Sequence, residues 1–180
     1  MRLSVVIPTL DAEAHLPRSL ERVRGADEVV VADGGSSDRG IAVAEAAGAR
    51  VVRSAPGRGV QLRRGAEAGS GDWLLFLHAD TMLGRDWHAA VASHTATDTD
   101  KAGCFRFRLA DAAWQARLVE RAVAARVALF GLPYGDQGLL IPRALYEAVG
   151  GYRPLPLMED VDLVRRIGRH RLAVLAETAT

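Results

Sequence analysis

The sequence predicts an α/β domain with a mostly parallel central sheet, helices on both of its faces, and a smaller antiparallel or mixed part. Three observations carry this. Trp73-Leu74-Leu75-Phe76-Leu77 is an unbroken apolar run, typical of a strand buried on both faces of a parallel sheet. Before residue 95, strand-like and helix-like stretches alternate four times, and right-handed crossovers between such units build a parallel layer. Beyond residue 100 the pattern changes: Phe105, Phe107 and Leu109 alternate with Arg106 and Arg108, the period of a strand with one wet face.

The elements follow in order. Leu3 to Ile7 reads as the first strand, ended by Pro8, which cannot donate to a ladder. Residues 13–24 read as a helix, with Leu16, Leu20 and Val23 on one side. Residues 28–32 form the second strand. Asp33-Gly34-Gly35-Ser36-Ser37-Asp38 is then a tight turn, with Asp38 capping a helix that stops at Gly48. A short strand over 50–53, a Gly-rich loop and a helix over 60–68 lead into the central strand. A helix over 84–94 and a polar, linker-like stretch over 95–100 come next. The helix predicted over 112–130 carries Trp114, Leu118, Val119, Ala122, Val123 and Val127 as an apolar stripe, read as facing the core. A loop over 131–138, a strand over 139–141, helices over 143–149 and 158–169, and a strand over 172–175 complete the chain. Nothing repeats, so residues 1–180 read as one domain.

Charge and cysteine content exclude several classes. Twenty-three basic residues face twenty-two acidic ones, so nothing global attracts nucleic acid, and a charged ligand needs a local site. The single Cys104 has no partner for a disulfide and suits a reducing compartment. Met1-Arg2 leads straight into a strand, which leaves no room for a signal peptide, and no stretch approaches the roughly 20 apolar residues of a bilayer span. The expectation is a cytoplasmic protein; peripheral contact with the inner membrane face and a homodimer are both compatible with it.

Ligands of open parallel sheets bind beyond the carboxyl ends of the strands, and there His78-Ala79-Asp80 follows the central strand. Asp80 is a candidate ligand for Mg²⁺ or Mn²⁺, which take oxygen donors together with substrate phosphates; His78 is a second candidate ligand or a sugar contact. The bland alternative has Asp80 capping the following helix. Asp33 and Gly34 could accept and admit a base or ribose, or simply make a turn. Arg58, Arg63 and Arg64 flank a Gly-rich loop and could clamp phosphates, although arginines in so Arg-rich a chain are commonly surface residues. Gly135, Asp136 and Gln137 sit in a loop of the kind that positions ligands. Glu159, Asp160 and Asp162 crowd a helix start, where the dipole favours negative charge; one could be a general base, while Asp162 with Arg165 or Arg166 is an ordinary helical pair. His15, His88, His94 and His170 show no metal-ligand spacing.

Taken together, the motifs resemble the family 2 glycosyltransferases. Val5-Val6-Ile7-Pro8-Thr9-Leu10-Asp11-Ala12-Glu13 is similar to the family's first strand and loop. Val30-Val31-Ala32-Asp33-Gly34-Gly35-Ser36-Ser37-Asp38 is similar to its nucleotide-binding turn. Gly71 to Asp80 is similar to the segment ending in Asp-X-Asp, and Met158-Glu159-Asp160-Val161-Asp162-Leu163 to its Glu-Asp helix start. Leu77 to Thr81 with Pro133 to Gly138 resembles a bacterial subgroup associated with radical-SAM and selenoprotein-type gene neighbourhoods. The resemblance implies a Rossmann-like fold of the glycosyltransferase A type, with a nucleotide-binding half over about 1–94 and an acceptor half over about 101–180. It implies a metal-dependent, inverting transfer of a sugar from a nucleotide-diphosphate sugar to a hydroxyl acceptor. Pro8, Thr9, Asp11, Asp33, Gly34, Arg58, Arg63, His78, Ala79, Asp80, Gly135, Asp136, Gln137 and Glu159 are then expected around the donor, Asp80 and His78 on Mg²⁺ or Mn²⁺, and Asp160 as the base. His78 replaces the first Asp of Asp-X-Asp, and Gly34 the second Asp of the usual turn. The sequence stops at Thr180 where family members commonly continue, a departure that could remove acceptor contacts or a further metal ligand. The rival readings are a nucleotidyltransferase, whose Gly-rich basic signature after the first strand is missing, and a non-catalytic nucleotide-sugar-binding module.

Overall fold

A computed structural model describes residues 1–180. Seven strands form one sheet in the order β3-β2-β1-β4-β6-β5-β7. They are β1 (Leu3–Thr9), β2 (Glu28–Asp33), β3 (Arg50–Arg53), β4 (Trp73–Phe76), β5 (Ala102–Phe107), β6 (Leu139–Pro142) and β7 (Leu172–Ala179). The first four are mutually parallel. β6 runs antiparallel to both β4 and β5, and β5 runs parallel to β7. The expected mixed part is therefore the β6 insertion. β1 builds outward through β2 and β3 on one side, whereas β4 lies on its other side, so strand order reverses between β1 and β4. That is where a crevice opens in such sheets.

Helices cover both faces. α1 (Leu16–Arg22), α2 (Gly40–Ala46) and α4 (Trp87–Thr97) contribute Leu16, Leu20, Ala44, Trp87 and Val91 to a core with Val5, Ile7, Trp73, Leu75 and Leu77. α3 (Arg58–Ala68), α6 (Arg143–Ala148) and α7 (Glu159–Ile167) contribute Leu62, Ala66, Leu145, Tyr146, Leu163 and Ile167 to a second core with Val6, Leu74 and Phe76. Alternate residues of β1 and β4 thus enter opposite cores, which is why both strands read as continuous apolar runs. Gly65 lets α3 lie close on β1, since a Cβ there would overlap the Val6 side chain. Arg143 ties the entry to β4 by donating to the carbonyls of Gly71, Ala66 and Gly69.

Several boundaries differ from expectation. β1 passes through Pro8 to Thr9. Leu77 N–H already closes the last bond from β4 to Val6, so the missing amide of Pro8 falls where that neighbour has ended. α1 starts at Leu16 and α4 at Trp87, later than predicted, and Thr95 to Thr97 belong to α4 rather than to a linker. β7 runs on to Ala179, where Thr180 and Met82 exchange backbone hydrogen bonds. The largest correction concerns α5 (Trp114–Phe130): only Ala116 and Val127 are buried. Trp114, Leu118, Val119, Leu129 and Phe130 are exposed, so this is a surface helix.

Candidate active site at the carboxyl ends of β1 and β4

β1 and β4 end side by side, and the chain leaving each turns over the sheet edge. The cavity between them measures about 430 Å³, within the range of roughly 300–1,000 Å³ common for small-ligand sites. Pro8, Thr9, Leu10, Asp11 and Ala12 come from the β1 exit, His78, Ala79 and Asp80 from the β4 exit, and Gly57, Arg58 and Gln61 from the start of α3, with His15 at the rim. Seven of the expected donor residues meet here: Pro8, Thr9, Asp11, Arg58, His78, Ala79 and Asp80. Asp80 is exposed, and the next helix starts only at Trp87, so it does not cap that helix.

Asp11 has φ 50, and its Oδ1 accepts hydrogen bonds from the Ser37 and Asp38 amides and the Ser37 hydroxyl. The Ser37 amide first, then its hydroxyl, holds this carboxyl below the usual carboxylate range. The loop after β1 is thereby stitched to the turn after β2. Asp33 is buried, and its carboxylate accepts from the Gly35 and Ser36 amides and the Ser36 hydroxyl. Neither Asp33 nor Gly34 lines the cavity; together they shape its wall from behind.

Arg63 and Arg64 both pair with Glu67 on the exposed side of α3, outside the cavity, as surface arginines do. Gln61 and His15 escaped the sequence reading. Gln61 is buried, and its Nε2 donates to the carbonyls of Thr9 (2.7 Å) and Ala32 (3.0 Å). It clamps the ends of β1 and β2 to α3. Its burial is not readable from the sequence, where it stands among Arg58, Arg63, Arg64 and Glu67. His15 precedes α1 with no neighbouring polar pattern, and nothing in the sequence marks it.

His78 joins this cavity to a second group. It also lines a small enclosed gap with Gly135, Tyr152, Glu159 and Asp160. A Cβ on Gly135 would overlap His78 Nε2 and come within 3.4 Å of Asp160 Oδ2, so a glycine is required for the three to meet. Gly135 N–H donates to Asp160 Oδ2 at 2.7 Å, and Val161 N–H to Asp160 Oδ1 at 2.8 Å. Both carboxylate oxygens are fixed, yet each retains a lone pair. Burial, and next the nearby Arg58 charge, push the His78 pKa below 6.5 against the pull of Asp80, Asp136 and Asp160. The imidazole is neutral at pH 7, the form a metal ligand needs.

The remaining expected residues take supporting places. Asp136 is half-buried; burial raises its pKa, and its Oδ1 has no hydrogen-bond partner. Gln137 is buried with its Nε2 on the Phe105 carbonyl, a role inside the fold. Asp162 makes the ordinary helical pair with Arg166 at 2.6 Å and also meets Arg153, from the loop before α7, at 3.3 Å. Glu159 is buried, 3.4 Å from Arg58 Nη1. Met158 before it has φ 62, so the two non-glycine residues of positive φ, Asp11 and Met158, both flank the site. Burial pushes the Cys104 thiol up to about 12, which leaves it inert as a nucleophile.

His78 and Asp80 offer one neutral imidazole and one carboxylate at a cavity mouth. That donor set fits Mn²⁺ or Mg²⁺ completed by phosphate oxygens and water; no three His, Cys, Asp or Glu side chains converge into a closed cage.

The chain is similar to known proteins in fold and in sequence. A crystal structure of glucosyl-3-phosphoglycerate synthase from Mycobacterium tuberculosis, in complex with Mn²⁺, uridine diphosphate and phosphoglyceric acid, superposes with a TM-score of 0.73. It is 22% identical, over 96% of this chain and 67% of that one, a likeness of fold. The same protein has been solved with Mg²⁺ and uridine diphosphate. The undecaprenyl-phosphate 4-deoxy-4-formamido-L-arabinose transferase of Pseudomonas aeruginosa (strain LESB58) is 28% identical over 165 residues, 82% of this chain and 49% of that protein. A PGL/p-HBAD biosynthesis glycosyltransferase of Mycobacterium tuberculosis (strain ATCC 25177 / H37Ra) is 36% identical over 91 residues, 44% of this chain and 36% of that protein. The chain spans about half the length of the first of these curated relatives. Residues 4–149, from the first strand to the end of α6, match the family model described as Glycosyl transferase family 2, and the chain belongs to that family.

Proposed function

We propose that the chain transfers a sugar from a nucleotide-diphosphate sugar to a hydroxyl acceptor, with inversion and with a divalent metal. One observation carries this: Asp11, Arg58, His78 and Asp80 share a cavity, and the fixed carboxylate of Asp160 lies directly behind His78. Donor-side and acceptor-side chemistry thus meet across one side chain.

The nucleotide of the donor lies against Pro8, Thr9 and Asp11, and its diphosphate faces Arg58, His78 and Asp80. His78 and Asp80 would hold Mg²⁺ or Mn²⁺, which when bound supplies positive charge for the departing nucleoside diphosphate. Asp160 accepts the proton of the acceptor hydroxyl as its oxygen attacks the anomeric carbon. The amides of Gly135 and Val161 hold that carboxylate in place, so little reorganisation is needed. The rival readings fit less well, because a binding module has no use for a carboxylate pinned beside the donor cavity, and the family does not favour a nucleotidyltransferase. The Leu77–Thr81 and Pro133–Gly138 segments support membership of the subgroup from radical-SAM and selenoprotein-type neighbourhoods. In the same reading the enzyme works in the cytoplasm, against the inner membrane face, either alone or as a homodimer.

The test begins with a thermal-shift screen of nucleoside diphosphates and nucleotide sugars with and without Mn²⁺, since a ligand that prefers the folded state raises Tm. With a donor in hand, Asp160→Asn should reduce transfer by about 100-fold or more, the scale of a general base, while the donor-induced shift survives. Loss of both in a folded variant counts against Asp160 as the base.

A further inference from the structure

The Glu-Asp pair at the start of α7 splits in two directions. Asp160 turns to the loop at Gly135, whereas Glu159 turns inward under α3 and is 2% exposed. Glu159 is outside the donor-cavity lining and, unlike the partly exposed Asp160, has no surface to offer a ligand. Its Oε1 is buried without any hydrogen bond, and the one cation within ion-pair distance is Arg58 Nη1 at 3.4 Å. A buried carboxylate in that condition is costly unless a nearby cation compensates it. Arg58 is half-exposed and is the single Lys or Arg among the cavity's lining residues. The two helix starts are pressed together: a Cβ on Gly59 would overlap the Arg153 carbonyl and lie 3.3 Å from Glu159 Cβ. Arg58 shares the cavity lining with His78 and Asp80, the residues read above as facing the diphosphate.

We propose that Glu159 is a positioning residue: from inside the protein it holds the Arg58 guanidinium at the cavity mouth, aimed at the diphosphate of the donor. A long arginine side chain on the rim would otherwise sample many rotamers, and ordering it in advance removes part of the cost of binding. The planar guanidinium can keep one edge toward Glu159 and offer its other donors to phosphate oxygens. This rests on the donor reading above and assigns within it the group that makes Arg58 effective.

The experiment measures binding by calorimetry, with UDP, GDP, ADP and inorganic pyrophosphate as probes, each with Mn²⁺. The proteins are the unaltered chain, Glu159→Gln, Glu159→Asp, Arg58→Ala and the double variant Arg58→Ala/Glu159→Gln. For whichever probe binds, Glu159→Gln should weaken affinity about tenfold, the scale of one charge-assisted contact. Glu159→Asp, which keeps the charge, should recover part of it. The double variant should bind no worse than Arg58→Ala, because Glu159 acts only through Arg58. In turnover assays the loss should appear in donor KM with kcat held. Unchanged affinity in Glu159→Gln overturns the proposal and leaves the donor reading intact. Tighter binding also overturns it, since Glu159 would then be competing with phosphate for Arg58. If Glu159→Gln does not fold, Arg58→Ala, altered on the rim, decides: equal affinity to the unaltered chain overturns the proposal. No binding of any probe by the unaltered chain overturns both readings together.

Discussion

The carboxyl end of β4 and the helix α5 look alike as sequence and opposite as structure. Each carries apolar residues in a pattern that reads as core, β4 as an unbroken run and α5 as a stripe at helical spacing. Leu74, Leu75 and Leu77 are 0–1% exposed, while Trp114, Leu118 and Leu129 are 68%, 50% and 63% exposed. The difference is in what lies on either side. β4 sits between β1 and β6 with a helix layer above and below, so each of its residues has a destination. α5 follows β5, one strand in from the sheet edge, and buries only Ala116 and Val127. An apolar stripe states that a surface prefers to leave water; it does not state what covers it.

The strongest way to test this contrast is to cut into the strand. Leu75→Ala should destabilise the fold by about 2–5 kcal/mol, the range for a fully buried leucine whose cavity cannot collapse, measured by urea unfolding. A cost below about 1 kcal/mol would mean that the sheet centre is far looser than its burial implies.

The same strand end should register pH. The His78 pKa is lowered in the folded chain, chiefly by burial and next by Arg58. Just below pH 6.5 the unfolded chain therefore binds a proton that the native one refuses, and stability falls as pH drops through that window. The slope from this group is at most about 1.4 kcal/mol per pH unit. In metal-free buffer, Tm followed from pH 7.5 to 5.5 should fall less steeply in His78→Gln than in the unaltered chain. Parallel curves would show that this imidazole is not desolvated.

The order of elements and the layer of helices on each face were legible because β1, β2 and β4 are apolar on both sides and Gly-rich turns separate them. The cavity was legible as far as it draws on strand ends: Asp11, His78 and Asp80 follow apolar runs directly. What stayed hidden depends on side-chain direction. Arg58 and Arg63 lie five residues apart on one helix and so point in different directions; which of them meets the cavity follows from how α3 packs, with Gly59 against the Arg153 carbonyl and Arg63 beside Glu67. Asp33 has the composition of a nucleotide contact, yet its carboxylate is occupied by its own turn. Glu159 and Asp160 are adjacent, and nothing in their spacing tells that one is buried under α3 and the other reaches Gly135.

The smallest expected effect is the one that can break the contrast. Leu118→Ala removes the same atoms as the cut in β4, from a side chain already half in water. Alanine is also the better helix former by a small margin. The two terms nearly cancel, so stability should change by no more than about 0.5 kcal/mol, as for surface substitutions generally. A loss near that of Leu75→Ala would require the outer face of α5 to be covered in solution. Repeating the measurement across a hundredfold range of protein concentration then separates the causes. Cover by a second copy makes the loss concentration-dependent, because association stabilises by mass action; cover from within the same molecule does not.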